Sequence, residues 1–468
     1  MNIPNYLRSS STRSGVCLVA CLLWSRAASA EITLVEKDGW TFYADGRVGA
    51  FASLGFGDDF PEATPNPDNP GTVHQVMGSS GGEEVGTTDA GWPSSYQRDE
   101  EGKYLAMRVR SGMFSNILGF GLKRNITETT TVKGYLSIWT TIETPGRDKW
   151  MPVDAEGREG YFRIEGPWGT VTAGRTFGFY GRTSAEIDML YGHPYGLGLP
   201  CADYVGPGCG HIGTGVSFPG YSAGFAYSTP SFGGVQLHAG LYDPIAFNSG
   251  WERAPYLRPE AALSFETPLG ATGKLRLAAE MLYQPLARTE TDDATMTKKE
   301  VTTTLWGVAG GARLEAGPLR LGLSGFRGRG IGLSYAIQGS PAGGSSFDTA
   351  TKELRMFTGF YGQLAVMLDK VHLAAGAGAA SVDQLDSDSA NVALSAIQRQ
   401  IGVSGAVYYH VSDSVVLSLD YFRYMARWYG APRSFLDPAT STAVLGQGRL
   451  AAEKQDLNFI NAGVTFHW

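Results

Sequence analysis

Apolar and polar residues alternate along much of this 468-residue chain. Between positions 132 and 138 the even-numbered residues are small or apolar, and Lys133, Tyr135 and Ser137 stand between them. Because successive side chains of a strand point to opposite faces, a period of two residues predicts a strand with one apolar face. Comparable segments recur from Asp38 to Trp468, so the pattern predicts an all-β chain.

Two lengths of connection separate these segments. The short ones are typical of tight turns and lie at positions 126–129, 166–169, 268–273, 316–318, 369–370 and 412–414. The long ones are polar and rich in Gly, Pro, Asp and Ser, and they lie at positions 57–103, 144–157, 176–212, 243–255, 284–300, 327–352, 382–396 and 427–453. Short turns at one end of a sheet and long loops at the other are typical of outer-membrane barrels.

We therefore predict a 16-stranded antiparallel transmembrane β-barrel with short periplasmic turns and long extracellular loops, formed as one domain by residues 31–468. Many of the segments reach about ten residues, the length that a tilted strand needs to cross a bilayer. A soluble β-sandwich is the alternative fold, but the strands of a sandwich average about five or six residues.

The first thirty residues differ from the rest. Two arginines precede an apolar stretch from Gly15 to Trp24, and small residues lead up to Glu31. This pattern predicts a secretory signal peptide over residues 1–30 and export of the remainder. The residues before Cys21 also resemble a lipoprotein box, so lipidation of Cys21 is an alternative.

Charge narrows the possible functions. The signal peptide would take three arginines and no acid with it, which leaves 35 basic and 45 acidic side chains and a net charge of −10. An exported chain with this acidic balance is not expected to bind nucleic acid. Beyond residue 30 no apolar run approaches the length of a membrane helix.

The remaining cysteines predict a disulfide rather than a metal site. Cys201 and Cys209 would be the two cysteines of the exported chain, and an oxidising compartment favours a bond between them. His211 lies nearby, but a structural zinc site needs four ligands. The seven histidines have no metal-ligand spacing and no G-x-S-x-G motif occurs, so we expect no metal, no cofactor and no enzyme.

Three stretches resemble the Gram-negative general (trimeric) outer-membrane porin family. They are GPWGTVTAGR at 166–175, YSTPSFGGVQLHAGLY at 227–242 and INAGVTFHW at 460–468. The resemblance implies a homotrimer in the outer membrane, in contact with lipid and lipopolysaccharide, that passes ions and small hydrophilic solutes by passive diffusion. Two departures are Trp468, where the family usually ends on Phe, and Thr229, which splits the family's Ser-Pro pair.

The last segment is apolar on one side only, with Ile460, Val464, Phe466 and Trp468 at alternate positions. The last strand of a barrel must pair with the first, because an unpaired edge in lipid leaves backbone groups without hydrogen bonds. We therefore predict that this apolar side meets lipid. By the resemblance, Phe466 and Trp468 form the insertion signal that the barrel-assembly machinery recognises.

By the same resemblance, residues 176–213 form a constriction loop inside the lumen, whose tip a Cys201–Cys209 bridge would restrain. A barrel of about sixteen strands leaves an aqueous channel, so the loop decides its width. The loop carries Glu186, Asp188 and Asp203. The predicted basic wall opposite these acids consists of Arg108, Arg110, Lys133, Arg163 and Arg175. We predict a pore constriction in which the two sets of charges produce a transverse field.

A substrate-specific channel is the alternative function. Aromatic residues of the loop region would then form its binding track: Phe177, Phe179, Tyr180, Tyr191 and Tyr195. A barrel receptor or a barrel enzyme that uses the long loops is less favoured. The first long loop is strongly acidic, which predicts solubility outside the cell or, as the alternative, binding of the divalent cations that bridge lipopolysaccharide.

Overall fold

The structure is a computed structural model, and most of the barrel lies in its described part. It describes residues 31–58, 64–65, 72–74, 84–86, 103–114, 116–142, 155–192, 196–200, 208–244, 252–253, 256–291, 296–332, 352–385, 397–428, 432–436, 443–449 and 454–468. The predicted signal peptide lies outside these residues, as do Cys21, Tyr195, Cys201 and Asp203.

The described residues form 26 strands and one short helix. The first half of the chain contains β1 (Ile32–Lys37), β2 (Trp40–Gly57), β3 (Thr64–Pro65), β4 (Thr72–His74), β5 (Glu84–Gly86), β6 (Tyr104–Arg110), β7 (Asn116–Asn125), β8 (Thr131–Thr140), β9 (Ala155–Gly166), β10 (Gly169–Phe177), α1 (Arg182–Ile187), β11 (Leu199–Pro200), β12 (Gly208–Gly210), β13 (Tyr221–Ser228) and β14 (Val235–Tyr242). The second half contains β15 (Glu252–Arg253), β16 (Arg258–Leu269), β17 (Gly273–Thr291), β18 (Lys298–Ala316), β19 (Leu319–Arg329), β20 (Met356–Leu368), β21 (Val371–Val382), β22 (Ile397–His410), β23 (Val415–Trp428), β24 (Pro432–Leu436), β25 (Ala443–Arg449) and β26 (Lys454–His467). In the described part of the chain, no helix is long and apolar enough to cross a membrane.

Sixteen antiparallel strands close into one barrel, as predicted. β6 and β7 pair with successive parts of the same side of β2, so together they act as one barrel strand. The barrel then continues in chain order through β8, β9, β10, β13, β14, β16, β17, β18, β19, β20, β21, β22, β23 and β26. β26 pairs with β23 on one side and with β2 on the other, which closes the sheet.

The strands are joined at one end of the barrel by short turns, and we call this the short-turn end. Among them are the connections at 126–130, 167–168, 270–272, 317–318, 369–370 and 411–414. Trp468 also lies here, where it and Gly46 exchange two backbone hydrogen bonds of 3.0 Å. β1 pairs with β2 just beyond this point, after a turn in which Asp38 and Gly39 have φ angles of 53° and 79°.

The outer face of the barrel is apolar. On β8, the outward-facing Leu136 is 65% exposed, whereas the inward-facing Trp139 is 4% exposed. On β26, Ile460, Val464 and Phe466 are exposed, in agreement with the predicted apolar side of the last strand. A continuous belt of exposed large apolar side chains around a closed sheet is the surface that a bilayer requires.

The main buried cluster lies inside the barrel. It combines inner-wall residues, such as Phe326 and Phe422, with residues of the segment between β10 and β13, such as Tyr180, Leu190 and Ile212. Side chains in such a cluster exclude water and pack like a protein interior. Part of the lumen is therefore filled.

Candidate functional site

The described residues between β10 and β13, at 178–192, 196–200 and 208–220, fold into the lumen, and we call the segment 178–220 the inner loop. The predicted constriction loop began at 176, but Thr176 and Phe177 belong to β10. The inner loop continues seven residues past the predicted end at 213, up to the start of β13. Its described residues are almost all buried; Arg182, Ala185 and Glu186 are among the few that are partly exposed. A segment rich in Gly and Pro is buried here because the barrel wall satisfies its backbone groups.

Two wall carboxyl groups hold the beginning of the inner loop. Glu260 Oε2 on β16 accepts the backbone N–H groups of Phe179 and Tyr180 at 2.6 and 3.0 Å. Glu280 on β17 accepts the N–H groups of Gly181 and Thr183 at 2.7 and 2.6 Å, and it also accepts the Thr183 hydroxyl. Gly181 is the N-cap of α1 and has φ 82° with no side-chain cap of its own. Glu280 therefore supplies the cap of this helix from the barrel wall.

The middle of the inner loop is held by β20. Gln363 Oε1 accepts the backbone N–H of Met189 at 2.9 Å, and Gln363 Nε2 donates to the carbonyl of Ile187. On β22, the Tyr408 hydroxyl donates to the carbonyl of Leu190. These side chains bind the backbone on both sides of the end of α1 and fix its direction.

Farther along the inner loop, β23 and β26 take over. Asp420 accepts the backbone N–H groups of Leu197 and Gly198 at 3.3 and 3.2 Å. Asn461 Nδ2 donates to the Gly198 carbonyl at 3.0 Å and to Asp420 Oδ1 at 2.7 Å. The inner loop thus follows the wall from β16 to β26.

A buried polar network lies where the inner loop folds on itself. Asp188 accepts the N–H groups of Leu190 and Tyr191 at 2.9 and 3.2 Å, and its Oδ1 is 3.8 Å from His211 Nε2. His211 Nε2 is 2.7 Å from the Tyr361 hydroxyl of β20. Burial raises the pKa of Asp188 to about 6 and lowers the pKa of His211 to about 3. His211 is therefore neutral at pH 7, and its contact with Asp188 is not an ion pair.

The inner loop divides the lumen into two sides. On the first, which we call the filled side, inner-wall residues of β20, β22, β23 and β26 are buried: Tyr361, Gln363, Ser404, Tyr408, Asp420, Phe422, Asn461 and Thr465. On the second, which we call the polar crescent, inner-wall residues of β8, β9, β13, β14, β16, β17 and β18 are partly exposed: Lys133, Tyr135, Tyr161, Arg163, Ser222, Ala226, His238, Ala262, Ser264, Arg276, Ala278 and Arg313. Water in the lumen therefore reaches the crescent, while loop backbone and apolar side chains occupy the filled side.

Charges are paired at one arm of the polar crescent. Glu186 of α1 forms an ion pair with Arg276 of β17, and its carbonyl accepts a hydrogen bond of 3.3 Å from Arg313 of β18. Arg276 and Arg313 are direct register partners. Glu315 binds Arg313 at 2.9 Å. The partly exposed acid of the inner loop therefore faces guanidinium groups on β17 and β18.

At the other arm, cations stack on aromatic rings. Arg47 lies 4.8 Å from the ring centre of Phe114 and 5.5 Å from that of Trp139. Arg158 lies 4.7 Å from the same Trp139 ring. The register of β8 and β9 shifts at this point, where Ser137 pairs with Glu159 but Ile138 pairs with Gly157. Such a bulge redirects a side chain, which explains why Arg158, between the shifted pairs, lies against the ring of Trp139.

Solved structures share this architecture. The outer membrane channel DcaP of Acinetobacter baumannii is 13% identical, and the match covers 93% of this chain and 100% of that one with a TM-score of 0.58. An anion-selective porin from Comamonas acidovorans is 10% identical, with 92% and 100% coverage and a TM-score of 0.53. The fold is that of outer-membrane channels. No protein-family model and no curated protein sequence matches the chain.

The location follows from the closed barrel and its apolar belt. A sheet with no free edge and an apolar outside is stable in a bilayer and unsuited to water. Together with the fold of known outer-membrane channels, these features place the chain in the outer membrane of a Gram-negative bacterium.

The residues of the predicted basic wall lie in separate places and do not form one surface. Lys133 and Arg163 are register partners on β8 and β9 and both line the crescent. Arg163 binds Thr172 Oγ1 at 3.2 Å and lies 3.7 Å from Glu165. Arg175 pairs with Glu156 at 3.1 Å, and both side chains are about half exposed.

Arg108 and Arg110 lie on β6, apart from Lys133 and Arg163. Arg108 is exposed and donates to the carbonyl of its neighbour Met107 at 2.9 Å, whereas Arg110 is 2% exposed. Of the two loop acids described, Glu186 pairs with Arg276, a residue outside the predicted wall, and Asp188 is buried within the loop. The structure therefore places Lys133, Arg163 and Glu186 at the accessible lumen and Asp188 in the support of the loop.

Sequence reasoning missed the wall residues that hold the inner loop. They are Glu260, Glu280, Gln363, Tyr408, Asp420 and Asn461. The available signal was an acid or amide at an inward-facing position in the middle of a strand. From the sequence, such a residue cannot be distinguished from a charge that simply lines the lumen. The partners lie up to 263 residues apart, so local pattern could not connect them.

The four described residues of the aromatic track, which the alternative function would use, do not line the lumen. Phe177, Phe179, Tyr180 and Tyr191 are each at most 3% exposed and pack into the buried cluster or against the wall. Phe177, for example, stacks on Tyr221 with ring centres 4.1 Å apart. These rings are buried because they provide the apolar surface that docks the loop. A binding track would have to use other residues.

Cys209 is 1% exposed and disulfide-bonded. Its predicted partner, Cys201, lies outside the described residues, so the pairing stays a prediction. Within the described ranges, no group of three His, Cys, Asp or Glu side chains could hold a metal ion.

Proposed function

We propose that this protein is a passive outer-membrane channel for ions and small hydrophilic solutes, and that its permeation path follows the polar crescent. The observation that carries the proposal is the division of the lumen. The inner loop is docked on β20, β22, β23 and β26, and the wall from β8 to β18 keeps partly exposed polar side chains. No energy input and no catalysis enter this mechanism.

Selectivity in this proposal comes from size and from the field inside the crescent. Cations at both arms, including Lys133, Arg163 and Arg276, are interspersed with Glu165 and Glu186. Opposite charges at a narrow, low-dielectric site orient permeating dipoles and disfavour apolar solutes. Because these charges nearly balance, we expect weak ion selectivity despite the acidic composition of the whole chain.

The assembly belongs to the same proposal. The short-turn end faces the periplasm, and Phe466, exposed and stacked 5.5 Å from Trp468, presents an aromatic pair to the membrane interface there. We propose that Phe466 and Trp468 are the signal for the barrel-assembly machinery. The mature protein is proposed to form a homotrimer and to contact lipid and lipopolysaccharide.

A substrate-specific channel is the second candidate, and the extensive hydrogen bonding of the inner loop favours it. A loop held at so many points gives a narrow path of constant shape, which suits a defined solute. Liposome swelling with sugars of graded size separates the two functions. Uptake that falls smoothly with size supports the diffusion channel, uptake that saturates for one solute supports the specific channel, and the absence of swelling and of ion current would overturn both.

A further inference from the structure

Beside α1, between the levels of its contacts with Glu280 and Arg276, we define a recess in the polar crescent by the residues that surround it. Its floor consists of small inward residues on neighbouring strands, Ala226 on β13, Ala262 on β16 and Ala278 on β17, all partly exposed. His238 of β14 pairs in register with Ala262. Small side chains around one larger polar ring leave room for a solute against the wall.

Two serines frame the imidazole of His238. Ser228 Oγ is 2.8 Å from Nδ1, and Ser264 Oγ is 3.0 Å from Nε2. A neutral imidazole has one N–H donor and one acceptor nitrogen, so it donates to one serine and accepts from the other. The serine that accepts keeps its own O–H hydrogen for a further acceptor. With a protonated imidazole, both serines would accept from the ring and keep their hydroxyl hydrogens. In either form of His238, at least one serine can therefore donate a hydrogen bond.

Positive charge surrounds this array. Arg182 of α1 and Arg276 of β17 are close enough to act electrostatically on His238. The Arg182 guanidinium lies 4.8 Å from the ring centre of Phe179, which in turn is 5.3 Å from that of His238. Glu186 offsets one of the two charges through its ion pair with Arg276. Glu280, the register partner of Ala262, also adjoins the floor, but its carboxyl group is buried and accepts donors of the inner loop. The recess therefore combines a hydroxyl donor with two nearby guanidinium groups.

We propose that this recess is a binding subsite for a small oxyanion, a carboxylate or a phosphate, on its way through the channel. Arg276 and Arg182 attract the anion, and the partly exposed Ser264, when it accepts from His238, donates its own hydroxyl hydrogen to an oxygen of the anion. Charged and hydroxyl donors of this kind recognise carboxylate and phosphate groups. The inference rests on the proposed channel function and adds a saturable site to it. A chloride ion lacks the spread oxygen acceptors, so it passes the recess with weaker binding.

Block of chloride current in planar bilayers tests the subsite. Inorganic phosphate and acetate are added in turn to the full-length protein in potassium chloride. We expect saturable block by at least one of them, with an apparent affinity about tenfold weaker in Arg276→Gln and in Ser264→Ala, which each remove one charge-assisted hydrogen bond. Arg276→Lys, which keeps the charge, should restore most of the affinity.

The matched control is Lys274→Gln. Lys274 lies on the same strand and face as Arg276, two residues nearer the turn, and is also ion-paired, to Glu266 at 2.7 Å. Its loss should leave the block unchanged. Block by phosphate alone or acetate alone supports the site and identifies its ligand. Chloride current without block by either anion, or equal weakening in the Lys274 variant, overturns the subsite, whereas the lack of any current overturns the channel proposal instead. Circular dichroism in detergent establishes that each variant is folded.

Discussion

At the scale of single residues, a few carboxyl and amide side chains decide where the inner loop lies. Glu280 accepts three donors from Gly181 and Thr183, all of them buried. A buried donor without a partner is costly. Removal of one of these side chains therefore destabilises the docked loop by more than its hydrogen bonds stabilise it. The position of the loop is therefore sensitive to single substitutions on strands that are far from it in sequence.

Glu280→Ala should loosen the beginning of the inner loop. It leaves two backbone N–H groups and one hydroxyl without an acceptor, which weakens docking by about 3 kcal/mol. We expect larger and noisier single-channel conductance with the barrel intact. The control is Glu266→Ala, because Glu266 forms a partly exposed ion pair with Lys274, worth at most about 1 kcal/mol. Equal conductance in the Glu280 variant and the wild type would contradict this role.

Asp188 and His211 give docking of the inner loop a defined pH dependence. The pKa of Asp188 is raised by burial to about 6, so the docked loop prefers the protonated acid and this preference is lost as pH rises through 6. The pKa of His211 is lowered by burial to about 3, so the docked loop prefers neutral imidazole and weakens as pH falls below about 6.5. Between about pH 4 and 6 the docked and released loops each hold one proton on the pair, and the two effects cancel.

Single variants should expose the two opposing effects. In His211→Asn, cleavage of the loop by added protease should slow between pH 6 and pH 4, because only Asp188 still responds. In Asp188→Asn, acidification over the same range should speed cleavage, because only His211 responds. The wild type should change little. The protease must retain measured activity across the range, and the same slope in all three proteins would refute the assignment.

At the scale of elements, the outer face was predictable from alternation, whereas the contacts that hold the inner loop were not. Alternation identifies a strand such as β26 because lipid requires an apolar residue at every second position, as at Ile460 and Val464. The inside of the barrel imposes no such rule. The sequence alone does not distinguish Glu280, which holds the inner loop, from Arg276, which is partly exposed in the lumen and pairs with Glu186. The resemblance placed the end of the loop at 213, whereas residues 214–220 also belong to it, and their burial depends on tertiary contacts.

Depth along β26 provides a test of the lipid-facing side. Ile460→Arg places a charge near the middle of this 14-residue strand and should destabilise the folded barrel by about 2–4 kcal/mol. Phe466→Arg is the matched variant on the same face near the end of the strand, where the expected loss is about 0–1 kcal/mol. Urea unfolding in lipid vesicles measures both. A larger loss at 466 than at 460 would disagree with the proposed position of the strand in the bilayer.

At the scale of the whole molecule, the barrel encloses a lumen whose two sides differ. The filled side consists of loop backbone and buried side chains from β20 to β26, and the polar crescent keeps accessible side chains from β8 to β18. In the proposed channel, the inner loop narrows the path through a wide barrel. On the proposed path, total charge is a poor guide to permeation, because only residues of the crescent would meet the solute.

The most direct measurement compares the two sides of the lumen by cysteine accessibility. Ala278→Cys on the crescent and Ala406→Cys on the filled side each replace an inward alanine, the first partly exposed and the second 7% exposed. A small water-soluble thiosulfonate reagent should reduce the current of the Ala278 variant and leave that of the Ala406 variant unchanged. Rapid modification of both cysteines, or of Ala406→Cys alone, would contradict a permeation path along the polar crescent.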